Sequence, residues 1–145
     1  MIEALNLPAG RLLALDIGEA RIGVAVSDEL GILATPLTVL KRATTRAADF
    51  AAIERLVQRE RAAGLLVGLP LDSQGEIGPQ ARRVRRYTAH LMQALSLPVA
   101  FWDESYSTVD AAGLLQEVGS RTGIDAAAAA VFLADFLEAR RRIVK

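Results

Sequence analysis

The sequence predicts an α/β domain built on a mixed five-stranded sheet. Three strands form an antiparallel meander, two further strands run parallel, and helices cover both faces. Three observations carry this. Three strand-like apolar runs open the chain with connections only a few residues long, which favours antiparallel pairing. Beyond residue 45, helical spacing alternates with short apolar runs, the pattern of strand–helix units. The length, 145 residues, suits one domain, and no linker or repeat divides it, so residues 1–145 are read as a single domain.

In chain order, residues 11–18 (RLLALDIG) read as a buried strand, with a turn at Glu19 and Ala20. Residues 22–27 (IGVAVS) form the second strand, and residues 28–31 (DELG) the next turn. The third strand covers residues 32–40. Pro36 interrupts it, which places it at an edge, because proline cannot donate to a ladder on both sides. From Thr45 to about Ala63, Phe50, Ile53 and Val57 recur at helical spacing, flanked by Ala47. Residues 65–68 (LLVG) are a short apolar strand, and residues 71–78 a polar, flexible loop. Pro79 then opens a helix where its missing N–H costs nothing. That helix runs to about Leu95 with Ala81, Val84, Thr88, Leu91 and Leu95 on one face. Residues 99–102 (VAFW) make the fifth strand. Ser107 or Thr108 caps a helix over residues 109–118, residues 119–123 form a loop, and a last helix runs from about Ile124 to Arg142. The alanines at 126–130 favour helix and leave a small surface for close approach.

Composition narrows the chemistry. Hydrophobic residues make up 52% and charged residues 23%, too apolar for a disordered chain. No cysteine excludes disulfides and thiolate chemistry, and a single histidine, His90, excludes a multi-histidine metal site. No apolar run or leader suggests a membrane span or export, so the expectation is a cytoplasmic protein with no membrane partner. Seventeen basic residues balance seventeen acidic ones, so any polyanion must be met by a local surface rather than a global field. Fifteen of the basic residues are Arg, whose planar fork suits phosphate oxygens, though a compositional bias explains the excess equally well.

The acids are the informative residues. Asp16 interrupts a run that otherwise reads as buried on both faces, so its carboxylate must be paired, hydrogen-bonded or metal-bound. The alternative is a strand-end Asp that accepts turn N–H groups from Glu19 and Ala20. Asp103 and Glu104 follow the fifth strand and point to opposite faces, so only one of them can share a site with Asp16. Asp125 fits a capping box with Thr122 as cap. It also begins an apolar helical stripe through Ala129, Phe132 and Phe136, which puts it at the sheet-facing start of the last helix. Carboxylates from three separate elements suit hard divalent cations such as Mg²⁺ or Mn²⁺. Two such ions about 3.5–4 Å apart can stabilise both oxygens of a phosphodiester displacement.

Several segments together resemble a known family. They are residues 15–18 (LDIG) with residues 21–28 (RIGVAVSD), residues 67–71 (VGLPL), Trp102-Asp-Glu104 with Ser107-Thr108, and residues 124–128 (IDAAA). In this order they resemble the RuvX/YqgF family over nearly the whole chain. The resemblance implies an RNase H-like fold and a metal-dependent nuclease. It implies trimming of pre-16S rRNA in ribosome biogenesis or resolution of Holliday junctions in DNA recombination. Asp16, Glu104 and Asp125 match the family's catalytic acids and are the expected ligands of two Mg²⁺ or Mn²⁺ ions. Where the family continues Asp-Glu with Arg and Leu, Ser105 and Tyr106 stand here, and the loop after Pro70 lacks the usual Asn. Both departures fall where substrate would be read. Arg21, Arg82, Arg83, Arg86 and Tyr106 are the expected nucleic-acid contacts. Arg140, Arg141 and Arg142 suit the dipole at a helix C-terminus. A resolvase cuts two symmetry-related strands and should be a homodimer, whereas an RNA-trimming enzyme need not be.

Two other readings stay open. Asp16-Ile-Gly18 with Arg21 and Gly23 also resembles the first phosphate loop of actin-like sugar kinases, although those clamp nucleotide between two such domains. A non-catalytic nucleic-acid-binding factor acting in transcription is the third.

Overall fold

The computed structural model describes residues 3–104 and 121–143. After a short 3-10 turn at Ala4–Asn6 come β1 (Leu12–Ile17), β2 (Arg21–Ser27), β3 (Ala34–Lys41), α1 (Arg46–Glu60) and β4 (Gly64–Leu69). α2 (Pro79–Ala94), β5 (Val99–Asp103) and α3 (Arg121–Ile143) follow. The strands form one sheet in the order β3-β2-β1-β4-β5. β1 pairs antiparallel with β2 and parallel with β4, β2 pairs antiparallel with β3, and β4 pairs parallel with β5. This is the mixed sheet that the short and long connections predict. β3 lies at the edge, as Pro36 requires, and the β2–β3 register shifts between Val24 and Ala25, opposite that proline.

Strand alternation divides the core in two. Leu13, Leu15 and Ile17 of β1, Ile22 and Val24 of β2, Leu65 and Val67 of β4 and Val99 of β5 meet α1 and α2 on one face. Leu12 and Ala14 of β1, Ala25 of β2, Leu66 of β4 and Ala100 of β5 meet α3 on the other. Ala126, Ala127, Ala129 and Ala130 are buried, so α3 lies close over the sheet, and Phe132 and Phe136 fill the layer below it. On the other face, the Phe50 and Tyr87 rings meet edge to face at 5.2 Å, an arrangement worth about 0.5–1.5 kcal/mol beyond area burial.

Four local expectations are corrected. The last helix already includes Arg121, so Thr122 lies within it rather than capping it, residues 121–123 are helix rather than loop, and Asp125 falls beyond the first turn. α1 ends at Glu60 rather than near Ala63 and buries Asp49, Phe50, Ile53 and Leu56, with Val57 only partly covered. There, Leu56 rather than Val57 completes the buried stripe with Phe50 and Ile53. β3 begins at Ala34, because Asp28 Oδ1 accepts the N–H groups of Ile32 and Leu33 and holds the chain in the turn. The loop read as flexible is closed by Asp72, whose Oδ1 accepts from Gln74 and Glu76 N–H at 2.9 and 2.8 Å. The helix expected over residues 109–118 and its cap at Ser107 or Thr108 lie outside the described residues. Thr45 caps α1, its Oγ1 accepting from Ala48 N–H, a bond worth about 1 kcal/mol.

Candidate active site

Asp16 stands near the carboxyl end of β1. Alternation puts it on the α3 face, with Leu12 and Ala14. In register it faces Gly23 of β2, and the parallel pairing of β1 with β4 brings Gly68 level on its other side. Gly68 in turn pairs with Trp102 of β5, whose face Glu104 shares one step beyond Asp103. Asp16 is therefore flanked across the sheet by two glycines, at the carboxyl ends of three parallel strands.

Those glycines create the room for the other acids. A Cβ on Gly68 would lie 2.5 Å from Glu104 Oε2 and 2.7 Å from the Phe132 ring. The Glu104 side chain thus crosses β4 in the space that Gly68 leaves and hydrogen-bonds to Asp16. A Cβ on Gly23 would collide with the backbone of Asp125 and Ala126. The absence of a side chain lets α3 settle on β2 and brings Asp125 near enough for its charge to act on Asp16. From the sequence, Gly23 is singled out only in a phosphate-loop resemblance, and neither glycine is given this spacing role. A glycine inside a strand is the signal of a close approach, and it stood at both positions.

The electrostatics follow from this crowding. Burial first, then the Asp16 charge and the hydrogen bond that Glu104 donates to it, push the Glu104 carboxyl up to about 8. Burial also raises Asp16 above the ordinary carboxylate range. The hydrogen bond from Glu104 opposes the rise and the charge of Asp125 adds to it. At neutral pH the pair holds a proton on Glu104, which donates to the Asp16 carboxylate. Asp125 takes another partner, Arg21, whose Nε donates to Oδ2 at 3.1 Å; the two side chains are 41% and 33% exposed.

Of the expected residues, the fold brings Asp16 and Glu104 into contact, with Asp125 beside them and Arg21 bound to Asp125. Glu104, not Asp103, takes the α3 side. Asp16 accepts from Glu104 rather than closing the turn at Glu19 and Ala20. Arg82, Arg83 and Arg86 are exposed on the first half of α2. Arg83 meets Glu19 at 3.7 Å, and Arg82 donates to Ile77 O at 3.5 Å. Tyr106 lies outside the described residues. Trp102 is half-buried and meets Phe136 edge to face at 5.3 Å, a packing role, and His90 is exposed. Arg140 and Arg141 donate to the carbonyls of Leu7, Pro8 and Gly31, fastening the end of α3.

The donor chemistry suits a hard divalent cation. Two carboxyls forced to share a proton, with a third acid acting on them, form a group that a cation relieves. The third acid is not gathered in. Among the described residues no three His, Cys, Asp or Glu side chains are grouped closely enough to hold an ion, and Asp125 is engaged by Arg21.

Comparison with known proteins agrees with this architecture. The family described as RuvX, Holliday junction resolvase, matches residues 10–139. A Chloroflexus aurantiacus protein provisionally named a pre-16S rRNA nuclease is 44% identical over 135 residues, covering 90% of this chain and 88% of its own. A Roseiflexus sp. protein with the same provisional name is 40% identical, covering 91% and 96%. Among solved structures, T. thermophilus RuvC in complex with a Holliday junction substrate superposes with a TM-score of 0.60 at 16% identity, covering 91% of this chain and 96% of that one. The yeast mitochondrial Holliday junction resolvase Ydc2 gives 0.60 at 10% identity, covering 97% and 84%. At such identities the likeness is one of fold, and it is the RNase H-like fold that the motif order implied.

Proposed function

Because the chain belongs to the RuvX family, we propose that it is a nuclease that hydrolyses phosphodiester bonds in structured nucleic acid, with the 5′ end of pre-16S rRNA as its substrate. The observation that carries this reading is the Glu104 side chain crossing over Gly68 to Asp16 beside the charge of Asp125. No packing need explains three acids brought from three elements to one end of the sheet, since buried carboxylates cost stability unless they serve something else.

Asp16, Glu104 and Asp125 would hold Mg²⁺ or Mn²⁺, two ions if the acids divide between them. Such ions, when bound, supply the positive charge that stabilises a phosphoryl oxygen and lowers the pKa of water. The chain's own part is to fix the acids. Asp16 is held by β1, Glu104 is poised by the gap at Gly68, and the Glu104 carboxyl is the group that holds a proton near neutral pH. Binding a cation would release that proton, because a carboxyl ligates a hard ion as the carboxylate. Arg21, Arg82, Arg83, Arg86 and Tyr106 would meet phosphates and bases of the substrate. The site of action that this substrate implies is the cytoplasm, and among the described residues no helix is long and apolar enough to cross a membrane.

A second reading, resolution of Holliday junctions, is favoured by the family's description and the shared fold. It requires a homodimer, so the mass in solution separates the two. The test is cleavage of a pre-16S rRNA stem and a four-way DNA junction side by side, with Mn²⁺, Mg²⁺ or chelator. Wild type should cut with metal only, and Asp16→Asn should keep its melting temperature within a few degrees while losing cleavage. Full activity in Asp16→Asn overturns the assignment. Failure of wild type to cut either substrate, with a melting temperature that Mn²⁺ leaves unmoved, points instead to a non-catalytic binding factor.

A further inference from the structure

The acids occupy one face of the sheet. On the other face, at the same end, lies a cavity of about 420 Å³. Its wall includes Ile17, Gly18 and Glu19, the residues directly after Asp16, so cavity and acids are separated by one turn of alternation along β1. Four arginines line it: Arg42 from the segment after β3, Arg46 at the start of α1, and Arg83 and Arg86 of α2.

Two of these cations are answered. Arg42 Nε donates to Asp49 Oδ2 at 3.2 Å and its Nη1 to Gly18 O at 3.0 Å, while its guanidinium lies 4.6 Å from the centre of the Tyr87 ring. Asp49 is buried and also accepts from Ala43 N–H at 2.7 Å and Tyr87 Oη at 3.1 Å, so this cluster is neutral and satisfied. Arg83 faces Glu19 at 3.7 Å, but both are exposed, and such a pair contributes little and yields to a stronger partner. Among the described residues, no hydrogen bond or ion pair engages Arg46 or Arg86. The cavity thus holds two uncompensated cations and a third that is loosely held, brought together from two helices against their mutual repulsion. Its size lies in the range of small-ligand sites, about 300–1,000 Å³. Guanidinium groups converging on a space of this kind match the charge and oxygen geometry of phosphate.

We propose that this cavity binds a phosphate ester, a second anchoring site on the sheet face opposite the acids. The proposal rests on the nuclease reading for one of its two sources, a phosphate of the substrate strand bent over the β1–β2 turn. The other source is a free mononucleotide. Phosphate there would draw Arg83 from Glu19 and bridge α1 to α2.

Binding measured in chelator, where hydrolysis is stopped, tests this separately from catalysis. The probes are a 12-nucleotide single-stranded RNA, UMP and inorganic phosphate, each titrated into wild type, Arg46→Ala/Arg86→Ala and Glu19→Gln. Both arginines are exposed, so the double variant should melt as wild type does. RNA affinity should fall about tenfold or more, and the magnitude of the salt-dependence slope by about 1.4, two contacts at about 0.7 each on a single strand. Glu19→Gln removes the one carboxylate among the lining residues and should tighten binding, which a merely weakened fold cannot do. A loss confined to UMP and phosphate, with RNA unaffected, assigns the cavity to the free ester. RNA, UMP and phosphate curves that all overlay wild type overturn the proposal, as does a wild type that binds none of them. Cleavage lost in Asp16→Asn but intact binding in the double variant would leave the nuclease reading standing without this site.

Discussion

Glu104 reaches Asp16 across an intervening strand, and that reach makes its proton sensitive to the fold. Its carboxyl stands at about 8 in the native protein against an ordinary value of 4.5. The native state therefore holds the proton more tightly than the unfolded chain. Its advantage is complete below about 4.5 and is lost as pH rises through about 8. Asp16, also raised, acts in the same direction. Metal-free protein should accordingly melt lower at pH 9 than at pH 5, by about 4 °C for each kcal/mol involved. Glu104→Gln should flatten this dependence; an unchanged slope in that variant would place the titration elsewhere. The neighbouring acid is the control for side. Because Asp103 points to the α1 and α2 face, Asp103→Ala should keep cleavage within about tenfold while Glu104→Gln loses it. Rates in the reverse order would mean that β5 is out of register.

At the scale of elements, the site depends on what the strands omit. β4 lies between the two strands that carry Asp16 and Glu104, and only a residue without a side chain lets the acids meet above it. Gly68→Ala should therefore do two things. Phe132 is fully buried and has little room to retreat, so overpacking should cost about 1–3 kcal/mol, read as a lower melting temperature. Glu104 must also leave, and misplacing a reacting group by about an ångström can cost about 100-fold in rate. Cleavage assayed well below the lowered melting temperature separates the two. A variant that is destabilised but fully active would show that the crossing of Glu104 is dispensable. Gly23 has the corresponding role for α3, where the obstacle is backbone rather than a side chain that can turn away.

For the whole molecule, a neutral chain has to hold a polyanion with local charge. The fold does this by separation: acids lie at the α3 face, while exposed arginines gather on α2 and around the opposite cavity. Replacing Arg82, Arg83 and Arg86 together with Ala should weaken substrate binding. It should also reduce the magnitude of the salt slope by about 0.9 per lost contact on duplex. The rate at saturating substrate should change little, because none of the three adjoins Asp16 or Glu104. Wild-type binding curves across a salt series would move the substrate path towards Arg21 and Arg42.

Over the described residues, the order of strands and helices and the edge position of β3 were legible in the sequence, and Asp16 stood out as the residue to examine. Periodicity, Pro36 and a lone acid in an apolar run are local signals, and local signals survive without a fold. Alternation also limited Asp103 and Glu104 to one candidate, and the motif order chose it. Contacts between distant residues were not legible. Arg21 and Asp125 are 104 positions apart, and nothing in either segment announces that the pair forms. Glycines inside β2 and β4 signal a close approach but not its partner, which emerged only when sheet register set Gly23 and Gly68 on either side of Asp16. The arginine cavity needed α1 and α2 placed side by side before Arg46 and Arg86 could share a space. Sequence determined which residue types stand on which face of each element, because that follows from backbone period. Only the tertiary structure decided which faces meet, because that depends on how the layers close over one another.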